Sequence, residues 1–175
     1  MTQLPIPFIH DLQWSDIPAP AQHQAKRCLL DTIGCAIAAK NTKLSETVYA
    51  FAAQMHKGES NRLWLDDRQV SLLGSVLAHS MAIDSLDIHD NCNIVKGHAG
   101  VSIIPVTLGL IEQQARIVTG EELLTSIVVG YEIAIRAGLA LHASACDYHS
   151  SGACNALGCA AVTARHLNLN AQQTH

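Results

Sequence analysis

Residues 83–100 read IDSLDIHDNCNIVKGHAG and bring Asp84, Asp87, His89, Asp90, Lys96 and His98 into one short span. Charged residues make up only 15% of the chain, so the cluster stands out from its background. Carboxylates, imidazoles and an ammonium together form a proton-transfer set. Imidazole exchanges protons near neutral pH, a carboxylate can orient or tune it, and a cation can hold an anionic substrate. A solvated loop between two alanine-rich segments is the alternative reading.

Asp84 and Asp87 are three apart, which puts both on one face at the end of a helix predicted over 68–86. That end carries the negative pole of the helix dipole, where acids are disfavoured. Cations opposite them would repay the cost, and Lys96, His98 and His149 are the candidates. A solvated acidic helix end also fits. His98 sits in KGHAG, where flanking glycines allow a sharp turn and close approach to a ligand. A helix predicted over 101–115 begins just after it, and helix N-termini attract anions. A capping turn with an exposed histidine fits equally well. His149, in CDYHSSGACNALG, precedes the last predicted helix, where Ser150, Ser151 and Gly152 could cap it or hold an anion. A lone histidine in such a place is usually structural. Asp84, Asp87, His89 and His98 could ligate a metal, but they lack a recognisable ligand spacing, and no metal site is expected. No dinucleotide fingerprint, P-loop, H-E-x-x-H or G-x-S-x-G motif occurs.

The elements that position these residues read as all-α. The chain has 175 residues, 49% of them hydrophobic but only 4% aromatic. That balance favours close-packed helices over a β-sandwich. Helices are predicted over 21–40, with Leu29, Leu30, Ile33, Ala36 and Ile37 as the apolar face, and from about 45 to 56, closed by Lys57-Gly58. A short extended segment is expected over 61–65, and Asp66-Asp67 is read as turn and cap for helix 68–86. Pro105 falls early in helix 101–115, where proline is tolerated. Thr119 and Glu122 form a capping box for a helix reaching about His142. The last helix runs over 152–167. Gly130, Ala134 and Gly138, and the small residues at 158–161, predict close helix crossings.

A formal net charge of −4 without a Lys/Arg stripe argues against nucleic-acid binding. The N-terminus lacks a basic region and a long apolar run, so no signal peptide is expected. Residues 123–141 are long enough to span a bilayer, but Glu132 and Arg136 in their middle favour a buried helix and no membrane. The six cysteines form no C-x-x-C and are read as reduced core fillers.

Five segments in this order carry a family resemblance: LLDTIGCAIAA, IDSLDIHDNCNIVKGHAG, IIPVTLGLIE, TGEELLTSIVVGYEIAIR and HSSGACNALGCAAVTARHLNLN. Together they resemble the MmgE/PrpD family, which includes 2-methylcitrate dehydratase, cis-aconitate decarboxylase and an iminodisuccinate epimerase. The resemblance implies a helical bundle-like domain spanning 1–175, joined in longer members to a smaller α+β domain. It implies lyase-type chemistry on a small polycarboxylate without a cofactor, in a cytoplasmic homodimer. His98, His149 and Asp87 match the catalytic positions. Asp84, Asp90, Asn91 and Lys96 fall among substrate-binding positions. Asn91 and His89 depart from the family pattern. The family's catalytic lysines lie beyond LNAQQTH, so the chain is expected to be an N-terminal fragment, inactive alone. It would then be a remnant or one half of a split enzyme that associates with a separately encoded C-terminal half.

Overall fold

The computed structural model describes residues 5–146 and 152–175. Its elements, in chain order, are α1 (Ile6–Asp11), a 3-10 turn (Trp14–Asp16), α2 (Ala19–Ala39), α3 (Lys43–Met55), β1 (Asn61–Arg62), β2 (Gln69–Val70), α4 (Leu72–Asp84), α5 (Gly100–Glu112), α6 (Gly120–Ser144), α7 (Asn155–His166) and α8 (Ala171–Thr174). The fold is all-α, apart from one two-residue antiparallel ladder.

Side-chain caps set several helix starts. The Thr42 and Ser71 side chains accept from the backbone N–H of Ser45 and Gly74. At α6 the expected capping box forms: Thr119 Oγ1 accepts from Glu122 N–H at 3.2 Å, and Glu122 Oε2 accepts from Thr119 N–H at 2.9 Å.

The helix predicted over 68–86 is shorter than expected, because Gln69–Val70 pairs with Asn61–Arg62. Asp66 makes the turn but does not cap a helix. Arg68 grips its carboxylate through Nε at 2.8 Å and Nη2 at 2.7 Å, and Lys40 Nζ stands 3.3 Å away. This grip holds the Asp66 carboxyl well below the usual carboxylate range. Buried Asn61 ties the ladder to the end of α5, donating to Gly109 O at 2.8 Å and to Glu112 Oε2 at 3.0 Å. It thereby satisfies a carbonyl in the last turn of that helix.

α6 packs most extensively on α7, and α5 joins both. The small-residue reading holds here. A Cβ on Gly158 would lie 2.5 Å from the carbonyl of Gly130 and 2.7 Å from Ile103 Cδ1. One core cluster joins Ala99, Ile103, Leu110, Ala134 and Val162 across α5, α6 and α7. A second joins Val48, Tyr49, Ala52, Leu63, Val70, Ala78 and Ala82 across α3, α4 and the ladder.

α2 departs from its predicted face. It buries Ala25, Cys28, Thr32, Cys35, Ala36 and Ala39, while Leu30 and Ile37 are exposed. Small residues on the inward face let α4, α5 and α6 approach closely, and that requirement overrides bulk hydrophobicity. Among the described residues, α6 alone is long and apolar enough to cross a membrane. It carries an ion pair between Glu132 and Arg136 and supplies core residues against α5 and α7.

Candidate functional site

The site is built where α4 ends, the 85–99 connection turns, and α5 begins. Asp84 is the last residue of α4. Asp87 lies beyond it in the left-handed region (φ 49°), with its N–H donating to Asp84 O at 2.9 Å. The expectation that the two acids share a helix face is therefore corrected, because the chain has already left the helix at Asp87. Lys96 takes the same left-handed conformation (φ 52°) in a small loop closed by the Cys92–Gly97 bridge. Single residues in this region are tolerated only when their surroundings hold them there.

These reversals fold His89 inward against His98. His89 is 5% exposed, and the two rings lie 4.6 Å apart between centroids, tilted by 35°. Asp84 Oδ1 approaches His89 Nε2 to 3.5 Å. Neither ring nitrogen of His89 makes a hydrogen bond among the described residues. A ligand atom from each of Asp87, His89 and His98 falls within 4.8 Å of the other two.

His98 is held from behind. Its Nδ1 lies 2.8 Å from the backbone carbonyl of Asp90, which can only accept, so in the neutral ring Nδ1 carries the proton and Nε2 keeps its lone pair. Asn155, at the start of α7, fixes the same turn by donating to His98 O at 2.7 Å and reaching Ser102 Oγ at 3.2 Å.

The Asp90 carboxylate has a structural task. Its Oδ2 accepts from Gly100 N–H at 3.3 Å, so it already occupies the N-terminus of α5. One amide of the helix start expected to attract an anion is thus taken by Asp90. Thr32 Oγ1, Tyr131 Oη and Asp90 Oδ1 converge on Gly100, where any Cβ would collide with all three. Burial raises the Asp90 carboxyl above its ordinary value. Burial, and then the Asp90 charge, push the Tyr131 hydroxyl well above its own.

His89 separates two cavities. One, of about 260 Å³, is lined by Ser80, Asp84, His89, His98, Ser102 and Asn155, and Gly152 also borders it. The other, of about 480 Å³, opens between α2 and the connection, and contains Arg27, Asp31, His89, Asp90 and Asn91. The predicted residues are therefore divided. Asp84 and His98 share the first cavity, while Asp90 and Asn91 share the second. Lys96 is exposed and does not line the His98 cavity. No Lys or Arg is among the described residues that line it. His149 lies outside the described residues, as do Ser150 and Ser151.

Sequence reasoning counted His89 in the titratable cluster, among possible metal ligands and as a departure from the family pattern, but did not foresee its burial, and it did not single out Asn155, Ser102, Thr32 or Tyr131. Ile88 is 58% exposed beside the buried His89, the reverse of hydrophobic order, so no periodicity could have revealed it. Asn155 offered a weak signal as an amide directly after the CDYHSSGAC run.

Residues 7–175 match the family model for the MmgE/PrpD N-terminal domain. A curated relative, the cis-aconitate decarboxylase-like protein oryM of Aspergillus oryzae, is 24% identical over 176 residues. That alignment covers 95% of this chain and 36% of the relative, so the chain spans about a third of that protein's length. With its helical fold and its histidine-bearing turn ahead of α5, this chain belongs to the MmgE/PrpD family and carries that family's N-terminal domain.

Proposed function

We propose that this domain supplies the acid/base half of a lyase-type site for a small polycarboxylate, with His98 as the proton-transfer group. The observation that carries the reading is the anchoring of His98 Nδ1 on the Asp90 carbonyl, which leaves Nε2 without that partner in a ring lining the cavity shared with Ser80, Asp84, Ser102 and Asn155. In a dehydration, Nε2 takes the proton from a carbon next to a carboxylate. That C–H electron pair becomes the new C=C bond as the hydroxyl leaves with a proton from a second acid, for which His149 is the candidate. Asp87 tunes the imidazoles from within 4.8 Å. Lys96 and Asn91 are substrate contacts only if the connection moves, since neither borders the His98 cavity as described.

The substrate class rests on family membership and on the printed name of the fungal relative. We favour 2-methylcitrate dehydration. The alternatives are epimerisation, in which the abstracted proton is returned to the opposite face of the carbon, and decarboxylation of cis-aconitate, in which the C–C bond to a carboxylate breaks, CO2 leaves and an imidazolium supplies the proton that the carbon takes up. The cytoplasm and a homodimer are the setting we propose. Substrate carboxylates need cations, and the His98 cavity has none among its described lining residues. We therefore propose that the chain alone is inactive and needs a C-terminal half.

The test is to assay the chain alone, and mixed with the C-terminal segment of a family member, on methylcitrate, cis-aconitate and iminodisuccinate. Turnover only in the mixture, lost on His98→Ala, is the expected result. Turnover by the chain alone would refute the half-site reading. Near-normal turnover by His98→Ala would remove His98 from the chemistry.

A further inference from the structure

We infer that Asp87, His89 and His98 form a binding site for a borderline divalent transition-metal ion of the Zn²⁺, Ni²⁺ or Co²⁺ class. Sequence spacing concealed it, because D-x-H followed by a histidine nine residues later matches no standard ligand run. The fold supplies what the spacing lacks. The left-handed turn at Asp87 and the inward fold of the connection bring one ligand atom from each residue within 4.8 Å of the others. Such an ion binds nitrogen and oxygen at about 2.0–2.2 Å, so ligand atoms around it stand some 3–4 Å apart. Side-chain rotation at exposed Asp87 can close the remaining distance while His98 stays anchored on the Asp90 carbonyl.

Two further features point to a ligand. His89 is almost wholly buried, yet both its ring nitrogens lack a hydrogen bond among the described residues. A buried imidazole left this way is costly unless something binds it. His98 shows the arrangement that metal-bound histidines adopt, with one ring N–H held by a backbone carbonyl and the other nitrogen left basic. Asp84, 3.5 Å from His89 Nε2, can orient that second ring in the same way. Two imidazoles and one carboxylate suit a borderline ion better than Mg²⁺ or Ca²⁺, which prefer all-oxygen shells. Three protein ligands also leave a position open for water or a substrate carboxylate.

The consequence rests on the proposed role of His98. An ion on Nε2 occupies the lone pair that proton abstraction needs, so metal binding and turnover exclude each other. The site would then be inhibitory, or would belong to a resting state. Binding itself depends only on the geometry.

The test is titration of the purified full chain with Co²⁺ and Zn²⁺, read by calorimetry and by the Co²⁺ ligand-field spectrum. One equivalent is expected to bind, with an N/O-ligated spectrum and at least about tenfold weaker binding in His89→Gln and His98→Gln. Asp87→Asn is the variant that keeps the fold, since Asn tolerates the left-handed conformation, and it should weaken binding by a similar factor. Circular dichroism of each variant checks the fold. No saturable binding, a thiolate charge-transfer band that places the ion on a cysteine, or unchanged affinity in Asp87→Asn would each overturn the inference. None of these readouts uses turnover, so failure here leaves the acid/base reading standing, and failure of that reading leaves this one.

Discussion

His79 on α4 and His89 just after it are buried almost equally, at 2% and 5% exposure, but their surroundings differ. His79 stacks on Trp64 at 4.0 Å and meets the edge of Tyr49, and its Nε2 accepts from Trp64 N–H at 2.9 Å. Burial, helped by the Lys40 charge, lowers it to about 3, so it remains neutral. His89 has no hydrogen bond among the described residues, an acid at 3.5 Å and a second imidazole against its face. One histidine completes a core. The other is held ready for something the fold does not itself provide. Burial alone therefore does not separate a structural histidine from a functional one; the difference lies in whether its nitrogens are satisfied.

The comparison can be broken or sharpened by substitution. The largest effect belongs to the functional region. In an active assembly containing this domain, His98→Ala should lower turnover by about 10²–10⁴-fold, the usual worth of a positioned acid/base group, with the circular dichroism spectrum unchanged. In the structural region, His79→Phe removes the acceptor for Trp64 N–H. It should cost about 1–3 kcal/mol in urea unfolding of the purified chain.

The pH dependence should separate the same two regions. The folded pKa of His79 lies below its unfolded value near 6.5, so the unfolded chain binds the extra proton between them. Its contribution is full above pH 6.5 and falls as pH drops, by about 1.4 kcal/mol per pH unit, toward pH 3. His166, lowered chiefly by burial, adds in the same direction. Unfolding curves at pH 6.0 and 4.5 should show a steeper loss for the native sequence than for His79→Phe. Equal losses would mean that His79 is not held neutral.

His89→Phe should behave in the opposite way to His79→Phe. It removes two unsatisfied buried nitrogens and should leave stability within about 1 kcal/mol of the native chain or raise it, as functional sites often permit. A loss as large as that of His79→Phe would show His89 to be structural. The smallest effect is expected at Lys96, where exposed Lys96→Ala should change stability by less than about 0.5 kcal/mol in the same measurement.

Much of the fold was legible in the sequence because helix signals are local. The Thr119–Glu122 box, the small-residue face at Gly130, Ala134 and Gly138, and the histidine ahead of α5 can all be read along the chain. The β1–β2 ladder was legible only in its first strand, since the pairing of Asn61–Arg62 with Gln69–Val70 shortens the helix expected from 68. The inward face of α2 and the burial of His89 escaped for a shared reason, because each is settled by partners on other elements. Leu30 and Ile37 on α2 mark a helix face by periodicity, yet Cys28, Thr32 and Cys35 are the residues that meet α4, α5 and α6. At the site, the acids and histidines were visible as types, but not their assignments. Asp90 anchors His98 through its backbone and caps α5 through its carboxylate, and spacing could not have separated those tasks from substrate binding.

The central claim is that His98 is held with its proton on Nδ1 and its lone pair on Nε2. Long-range ¹H–¹⁵N correlation spectra of the purified chain, recorded at a pH where the ring is neutral, read the tautomer directly. The structure predicts the Nδ1–H form at His98. A dominant Nε2–H form would mean that the Asp90 carbonyl does not hold the ring, and would contradict the acid/base reading.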